Sequence, residues 1–218
     1  MEYVFEATSL IKASIDVPLI GFTGSPWTLF VYLYYGESPK NHDELNSFLK
    51  LKSQNTHSYL EQLTEITKDY VHAQIEAGAD CIQIFDSWGG LLDEKYQELS
   101  LNYINQIAAS VQVDIPIILY TRDKLIDNII DLTPIKCFNL DTSDNIDTHI
   151  SKSITIQGNF NPQNFHADEE ELKKMAELVY VKYKNKENYI FNLGSGLTPD
   201  INPEKVGYFL SQLSSFGS

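Results

Sequence analysis

Cysteine is scarce in this chain, and its two thiols stand far apart in the sequence. Cys81 and Cys137 each lie inside an apolar run, without a CxxC spacing or a nearby group of histidines. A disulfide framework or a zinc site of the usual spacing needs such a pattern. We therefore expect two buried structural thiols and no metal site.

Positive charge is also scarce. Lys and Arg together number 16 against 30 Asp and Glu, which gives a formal net charge of −14, and Arg122 is the only arginine. Nucleic acids and anionic membrane surfaces bind proteins through a surplus of Lys and Arg, so the composition argues against both as partners. An anionic ligand has to be held by local lysines, by backbone N–H groups or by residues from outside this chain.

Long hydrophobic runs are absent as well. There is no stretch of about 18 uninterrupted apolar residues, and Glu2 and Glu6 stand where a secretory signal carries Lys or Arg. With 218 residues and 43% hydrophobic side chains, the chain can bury one sizeable core. We predict a soluble cytoplasmic protein with a single domain over residues 1–218.

Short apolar runs recur along the chain, each followed by a polar turn and a segment with helical spacing. This alternation is typical of parallel strands linked by helices. Several runs are apolar on both faces, as strands of a buried parallel sheet are. The six predicted strands are Val17–Phe22, Cys81–Phe85, Ile115–Tyr120, Lys136–Leu140, Ile154–Gln157 and Tyr189–Leu193.

Two of the linking helices have clear signals. The helix before the second strand stops at Gly78, and its predicted core face consists of Leu60, Leu63, Ile66, Tyr70 and Ile75. Another helix begins near Asp168, because acidic residues stabilise a helix N-terminus. Its predicted core face consists of Leu172, Met175, Leu178 and Val179.

These elements fit either a (β/α)8 barrel of the TIM type or an open doubly wound sheet. No strand is followed by the Gly-rich fingerprint of a dinucleotide or P-loop site. Polar or glycine-bearing turns instead follow nearly every strand, and a barrel builds its shared pocket from such loops. We favour an α/β fold of the barrel type.

Four motifs close predicted strands, and together they resemble the uroporphyrinogen decarboxylase family in order and spacing. They lie at 18–32 (PLIGFTGSPWTLFVY), 74–90 (QIEAGADCIQIFDSWGG), 156–162 (IQGNFNP) and 190–206 (IFNLGSGLTPDINPEKV). The resemblance covers nearly the whole chain. It implies a (β/α)8 barrel of which strands equivalent to the third through the eighth are present, so we expect an incomplete barrel. The family's Arg-rich N-terminal segment and the aspartate of its second strand are expected outside these residues.

The resemblance also implies an activity. Members remove CO₂ from the acetate side chains of uroporphyrinogen III without any cofactor and form coproporphyrinogen III for haem biosynthesis. The pyrrole ring is protonated first, so that its positive charge accepts the electrons left behind. A fixed carboxylate stabilises that cation, and guanidinium groups orient the carboxylates of the substrate.

The resemblance places substrate-binding roles on three residues of this chain. Tyr32 matches the tyrosine whose hydroxyl donates to a substrate carboxylate, and without the motif it would be one of several packed aromatics. Ser87 matches a hydroxyl residue that bonds a substrate side chain, and an N-cap role can coexist with that. Ser195 stands where the family usually has histidine, and a serine is shorter and carries no positive charge. In the same way Asn161 stands where aspartate is common.

Other polar residues have no family role. Asp86 follows a strand end, where it is a candidate for an additional pocket carboxylate or for a residue that caps a helix or fixes the loop. The histidines lie in helices or turns, and exposed or structural roles are favoured for all of them. They are His42, His57, His72, His149 and His166.

Two further functions stay open. A catalytically impaired remnant could bind porphyrins or a protein partner, since this chain has one arginine and lacks the family histidine. A zinc-dependent corrinoid methyltransferase shares the barrel, but neither cysteine lies in a His-x-Cys pattern. Unpaired barrel edges predict self-association, as a homodimer, or a complementary N-terminal chain.

Overall fold

The computed structural model describes residues 2–36, 55–112, 114–122, 129–149 and 153–217. The chain forms two compact units, Met1–Phe138 and Asn139–Ser218. A single domain over residues 1–218 stays a prediction. Within the described ranges, no helix is long and apolar enough to cross a membrane.

The first unit alternates strands and helices. Its described elements are α1 (Glu2–Ser14), β1 (Ile20–Gly24), α2 (Pro26–Tyr35), α3 (Thr56–Glu76), β2 (Cys81–Asp86), a 3-10 segment (Gly89–Lys95), a π-helical turn (Gln97–Leu101), α4 (Asn102–Ser110) and β3 (Ile117–Thr121). Strand β4 (Cys137–Asn139) follows at the boundary of the units. The core of the first unit contains six fully buried side chains: Trp27, Leu60, Ile82, Ile84, Ile104 and Ile118.

The second unit contains two short strands and two helices among its described residues. Its elements are a 3-10 turn (Ile146–Thr148), β5 (Thr155–Gln157), a 3-10 segment (Pro162–His166), α5 (Glu169–Tyr183), β6 (Tyr189–Ile190) and α6 (Pro203–Ser215). Its core consists of Phe165, Leu172, Ala176, Ile201 and Phe209.

The six described strands pair in chain order, β1 to β6. Ile20 of β1 pairs with Cys81 in parallel register, Ile82 of β2 with Ile117, and Ile156 of β5 with Tyr189. A doubly wound sheet reverses its strand order at a switch point, whereas consecutive strands of a barrel do not. All six predicted strands are confirmed, and so is the barrel-type α/β class.

The predicted core face of α3 is only partly correct. Leu60 is fully buried, but Ile66 is 55% exposed. The buried face includes Thr64 and Thr67 instead, whose hydroxyls donate to the carbonyls of Leu60 and Leu63 at 2.7 Å. A threonine that bonds its own helix backbone needs no other partner and therefore packs like an apolar residue.

The helix predicted near Asp168 begins there. Asp168 is the N-cap of α5, and its carboxylate accepts a hydrogen bond from the backbone N–H of Glu171 at 2.9 Å. Leu172 is buried as expected, but Leu178 is 69% exposed. The apolar spacing thus identified the helix and one of its core residues, while packing against α6 decided the rest of the buried face.

Candidate active site

The carboxyl ends of β1, β2 and β3 bring the first two motifs together. Ser25 follows β1, and Trp88 follows β2 by two residues. The backbone N–H of Ser25 donates to the carbonyl of Phe85 at 2.9 Å, and the indole of Trp27 donates to the carbonyl of Trp88 at 3.1 Å. These contacts join the α2 turn to the loop after β2 and form one polar edge.

Tyr32 lies on α2 at this edge and is 41% exposed. Its ring meets the indole of Trp88 edge to face, with 6.4 Å between the ring centroids. This contact positions the phenol over a buried indole while part of the side chain stays accessible. A substrate role and a packing role are both compatible with this geometry.

Ser87 is half-buried in the turn after β2. The predicted N-cap role is wrong, because the N-cap position of the following 3-10 segment belongs to Trp88 and carries no side-chain cap bond. The Ser87 hydroxyl is therefore not committed to that helix end. Binding of a substrate side chain stays a prediction for it.

Asp86 is completely buried at the end of β2. Its two carboxylate oxygens accept hydrogen bonds from Ser25 Oγ at 2.6 Å and from Ser100 Oγ at 2.9 Å. Ser25 also caps α2, because its Oγ accepts from the backbone N–H of Thr28 at 3.0 Å. Burial raises the pKa of Asp86, and these hydroxyl donors oppose the rise. This geometry supports the loop-fixing alternative, since the carboxylate has no exposed surface.

An aromatic row crosses the three neighbouring strands. The rings of Phe22 and Phe85 lie 6.2 Å apart edge to face, and those of Phe85 and Tyr120 lie 5.7 Å apart. A Cβ on Gly21 would point toward Gln74 of α3. Because side chains alternate between the two faces of a strand, the Phe22 side chain lies on the face of β1 away from α3. The sequence analysis did not identify this row. An aromatic residue near the end of each of three predicted strands was the signal that could have indicated it.

Arg122, the only arginine of the sequence, lies at the same edge, and the sequence motifs assign it no role. It follows β3 directly and is exposed. Its guanidinium carbon lies 5.4 Å from the ring centroid of Trp88, within the range of a cation–π contact. Trp88 is separated from Arg122 by a helix and a strand, so no local pattern shows their contact.

The second unit has its own polar cluster at the ends of β4 and β5. The side chain of Asn139 accepts hydrogen bonds from Gln157 Nε2 at 2.7 Å and from Asn192 Nδ2 at 3.0 Å. Asn139 and Gln157 are buried. Three strand-end amides therefore hold one another in fixed orientations, which the sequence did not indicate.

Ser195 belongs to the turn after this cluster and is exposed. The preceding Gly194 is buried, and a Cβ at that position would lie 2.5 Å from the backbone nitrogen of Thr142. This close approach explains the glycine. Asn161 is the N-cap of the following 3-10 segment and accepts from the backbone N–H of Gln163 at 2.9 Å. Asparagine and aspartate serve equally in that role.

The prediction of two buried thiols is correct for Cys137 and only partly correct for Cys81. Both are free, Cys137 is buried and Cys81 is half-buried. Burial raises the pKa of Cys81 to about 11 and that of Cys137 to about 12. No group of three potential ligands that could hold a metal ion occurs in the part of the chain that the structure describes.

The described histidines have structural contacts. His57 bonds Tyr103 at 2.7 Å and Glu98 at 3.1 Å, His72 bonds the carbonyl of Ser110 at 2.9 Å, and His149 is buried. His166 pairs with Asp200 at 3.2 Å. The fifth, His42, lies outside the described residues.

The fold and its strand-end loops define a barrel-type α/β protein, and two comparisons identify its family. The family model described as uroporphyrinogen decarboxylase (URO-D) matches residues 1–216. The uroporphyrinogen decarboxylase of Francisella philomiragia subsp. philomiragia is 35% identical over 227 residues, which cover 99% of this chain and 65% of the relative. That of Hydrogenovibrio crunogenus is 33% identical, over 97% of this chain and 63% of the relative. This chain belongs to the uroporphyrinogen decarboxylase family.

The chain spans about 65% of the length of these relatives. Solved structures agree on the fold. A methyltransferase from Methanosarcina mazei superposes with a TM-score of 0.74 at 20% identity, over 99% of this chain and 64% of that one. A B12-independent methionine synthase from a Shewanella species superposes with a TM-score of 0.65 at 10% identity, over 98% and 66%. At these identities the likeness is one of fold alone.

Proposed function

We propose that this chain acts in the cofactor-free decarboxylation of the acetate side chains of uroporphyrinogen III, which gives coproporphyrinogen III. The observation that carries this proposal is the family match over residues 1–216. Relatives named uroporphyrinogen decarboxylase support it, because they align with nearly all of this chain. The proposed reaction belongs to the carboxy-lyases and to haem biosynthesis.

In this proposal Tyr32 and Ser87 bind the side chains of the substrate. The phenol hydroxyl of Tyr32 can donate a hydrogen bond to a substrate carboxylate, and the hydroxyl of Ser87 can do the same. The aromatic row of Phe22, Phe85 and Tyr120 offers flat apolar surface for pyrrole rings. Ser195 is exposed, and its hydroxyl lies at the position where the resemblance to the family implies a histidine.

The test is an anaerobic assay of the purified chain with uroporphyrinogen, beside a binding titration with coproporphyrinogen. Turnover without added cofactor supports the proposal. Binding without turnover supports the remnant that only binds porphyrins. A folded protein that shows neither contradicts both functions.

A matched pair of variants tests the site itself. Tyr32→Phe removes one hydroxyl from α2, and we expect it to weaken product binding about tenfold, because a hydrogen bond to a charged group is lost. Tyr3→Phe makes the same change at a position on α1 that is 74% exposed, and serves as the control. Equal affinity of both variants would remove Tyr32 from the proposed site.

We also propose that the chain self-associates as a homodimer and resides in the cytoplasm. Apolar side chains of α1 and of the segment before β1 support the first point, since Leu10 and Val17 are more than half exposed. Sedimentation of the purified chain tests it. A stable monomer contradicts the homodimer, and co-purification with a different polypeptide indicates a complementary chain instead. Cell fractionation tests the location.

A further inference from the structure

We propose that Arg122 binds a carboxylate of the porphyrinogen, with its guanidinium held in place by the indole of Trp88. This inference rests on the proposed function. It assigns a role to the only arginine of the chain, a residue for which neither the resemblance nor the comparisons name one.

The position of Arg122 is the first argument. It comes directly after β3, and Trp88 lies two residues beyond β2. These strands are parallel neighbours, with Asp86 opposite Thr121 at their carboxyl ends. Barrel enzymes bind their substrates at this edge, because the loops after neighbouring strands converge there.

The electrostatic setting is the second argument. The chain carries a formal charge of −14, yet none of the carboxylates in the described ranges forms an ion pair with Arg122. An exposed guanidinium is charged at any physiological pH and presents its N–H donors in a rigid fork that matches a carboxylate. When the flat face of a guanidinium contacts an aromatic ring, the N–H groups around the edge of the guanidinium can still donate to a carboxylate.

Trp88 supplies the third argument. Its ring contacts Arg122 on one side, and Tyr32 meets it edge to face. Trp88 is 9% exposed, so packing holds its ring in place, and the ring in turn limits the orientations of the guanidinium.

The experiment is a titration of the full chain with coproporphyrinogen under anaerobic conditions, followed by tryptophan fluorescence. The chain has two tryptophans, Trp27 and Trp88, which are joined by a hydrogen bond at the proposed site, so their fluorescence reports on binding there. We expect Arg122→Gln to raise Kd about tenfold and to reduce the salt dependence of binding. Arg122→Lys keeps the charge but loses the fork, so we expect a loss of about threefold.

Lys174→Gln is the matched charge control. It removes one positive charge from α5, where Lys174 pairs with Glu170 on an exposed surface. Circular dichroism checks that each variant is folded. Equal loss in the control, or an unchanged Kd in Arg122→Gln, would overturn the role of Arg122 while the proposed function stands. If the unaltered chain neither binds coproporphyrinogen nor turns over uroporphyrinogen, the proposed function and the role of Arg122 are both overturned.

Discussion

The side-chain amide of Gln74 binds both backbone groups of Phe22 in strand β1. The N–H of Phe22 donates to Gln74 Oε1 at 3.0 Å, and Gln74 Nε2 donates to the carbonyl of Phe22 at 3.1 Å. These groups are on the side of β1 away from β2, so the amide occupies hydrogen-bonding positions that a further strand would use. Gly21 permits the approach, because a Cβ there would lie 2.8 Å from Gln74 Oε1. The middle of this strand edge is thus closed by a side chain.

Replacing this amide tests its contribution. We expect Gln74→Leu to lower the free energy of unfolding by about 1–2 kcal/mol, because two backbone groups lose their partners. Gln62→Leu is the control, since Gln62 lies exposed on the same helix and bonds only within it. Urea denaturation of both variants measures the difference, and equal midpoints would show that the Gln74 contacts add nothing to stability.

The buried carboxyl of Asp86 gives stability a pH dependence. Burial raises its pKa in the folded state above the value of the unfolded chain, so the folded protein holds the proton to higher pH. This contribution is complete below the unfolded pKa and is lost as pH rises through the folded pKa. Between the unfolded and the folded pKa, the unaltered protein loses this contribution and Asp86→Asn does not. We therefore expect the free energy of unfolding of Asp86→Asn to rise relative to that of the unaltered protein as pH increases over this range. Unfolding curves at several pH values measure this, with exposed Asp131→Asn as control, and parallel curves would contradict it.

Both thiols should be unreactive in the folded protein. With a pKa of about 11, Cys81 is ionised to only about one part in a thousand at pH 8, and the thiolate is the reactive form. Cys137, with a pKa of about 12, is less ionised still. We expect no labelling by iodoacetamide under native conditions and two labels per chain in guanidinium. Mass spectrometry counts them, and rapid native labelling of either cysteine would show that its strand opens.

The two glycines of the turn around Ser195 should respond differently to a methyl group. Gly194→Ala places a Cβ against Thr142, and we expect it to lower the free energy of unfolding by about 1–3 kcal/mol. Gly196 has nothing within 4 Å of its Cβ position, so Gly196→Ala should change stability by less than about 0.5 kcal/mol. Chemical denaturation compares the pair. Similar values for both would mean that the turn shifts to accommodate the methyl group.

Much of the fold could be predicted because it depends on local physics. An apolar run of strand length between polar turns indicates a buried strand wherever it occurs, and all six predicted strands are present. Asp168 caps the N-terminus of α5 through a hydrogen bond to a residue three positions along the chain, so this helix start could also be predicted from the sequence. The family motifs belong to this same local level, because each is a continuous stretch that closes one strand.

The arrangement of the site was decided only by the tertiary structure. Asp86 meets Ser25 across 61 residues, and Arg122 meets Trp88 across a helix and a strand. Parallel pairing brings the carboxyl ends of β1, β2 and β3 to one edge regardless of how much chain lies between them. The sequence by itself determined which residues were available there, including a single arginine. Which of them are buried, paired or exposed depends on packing between elements, and no spacing along the chain encodes that.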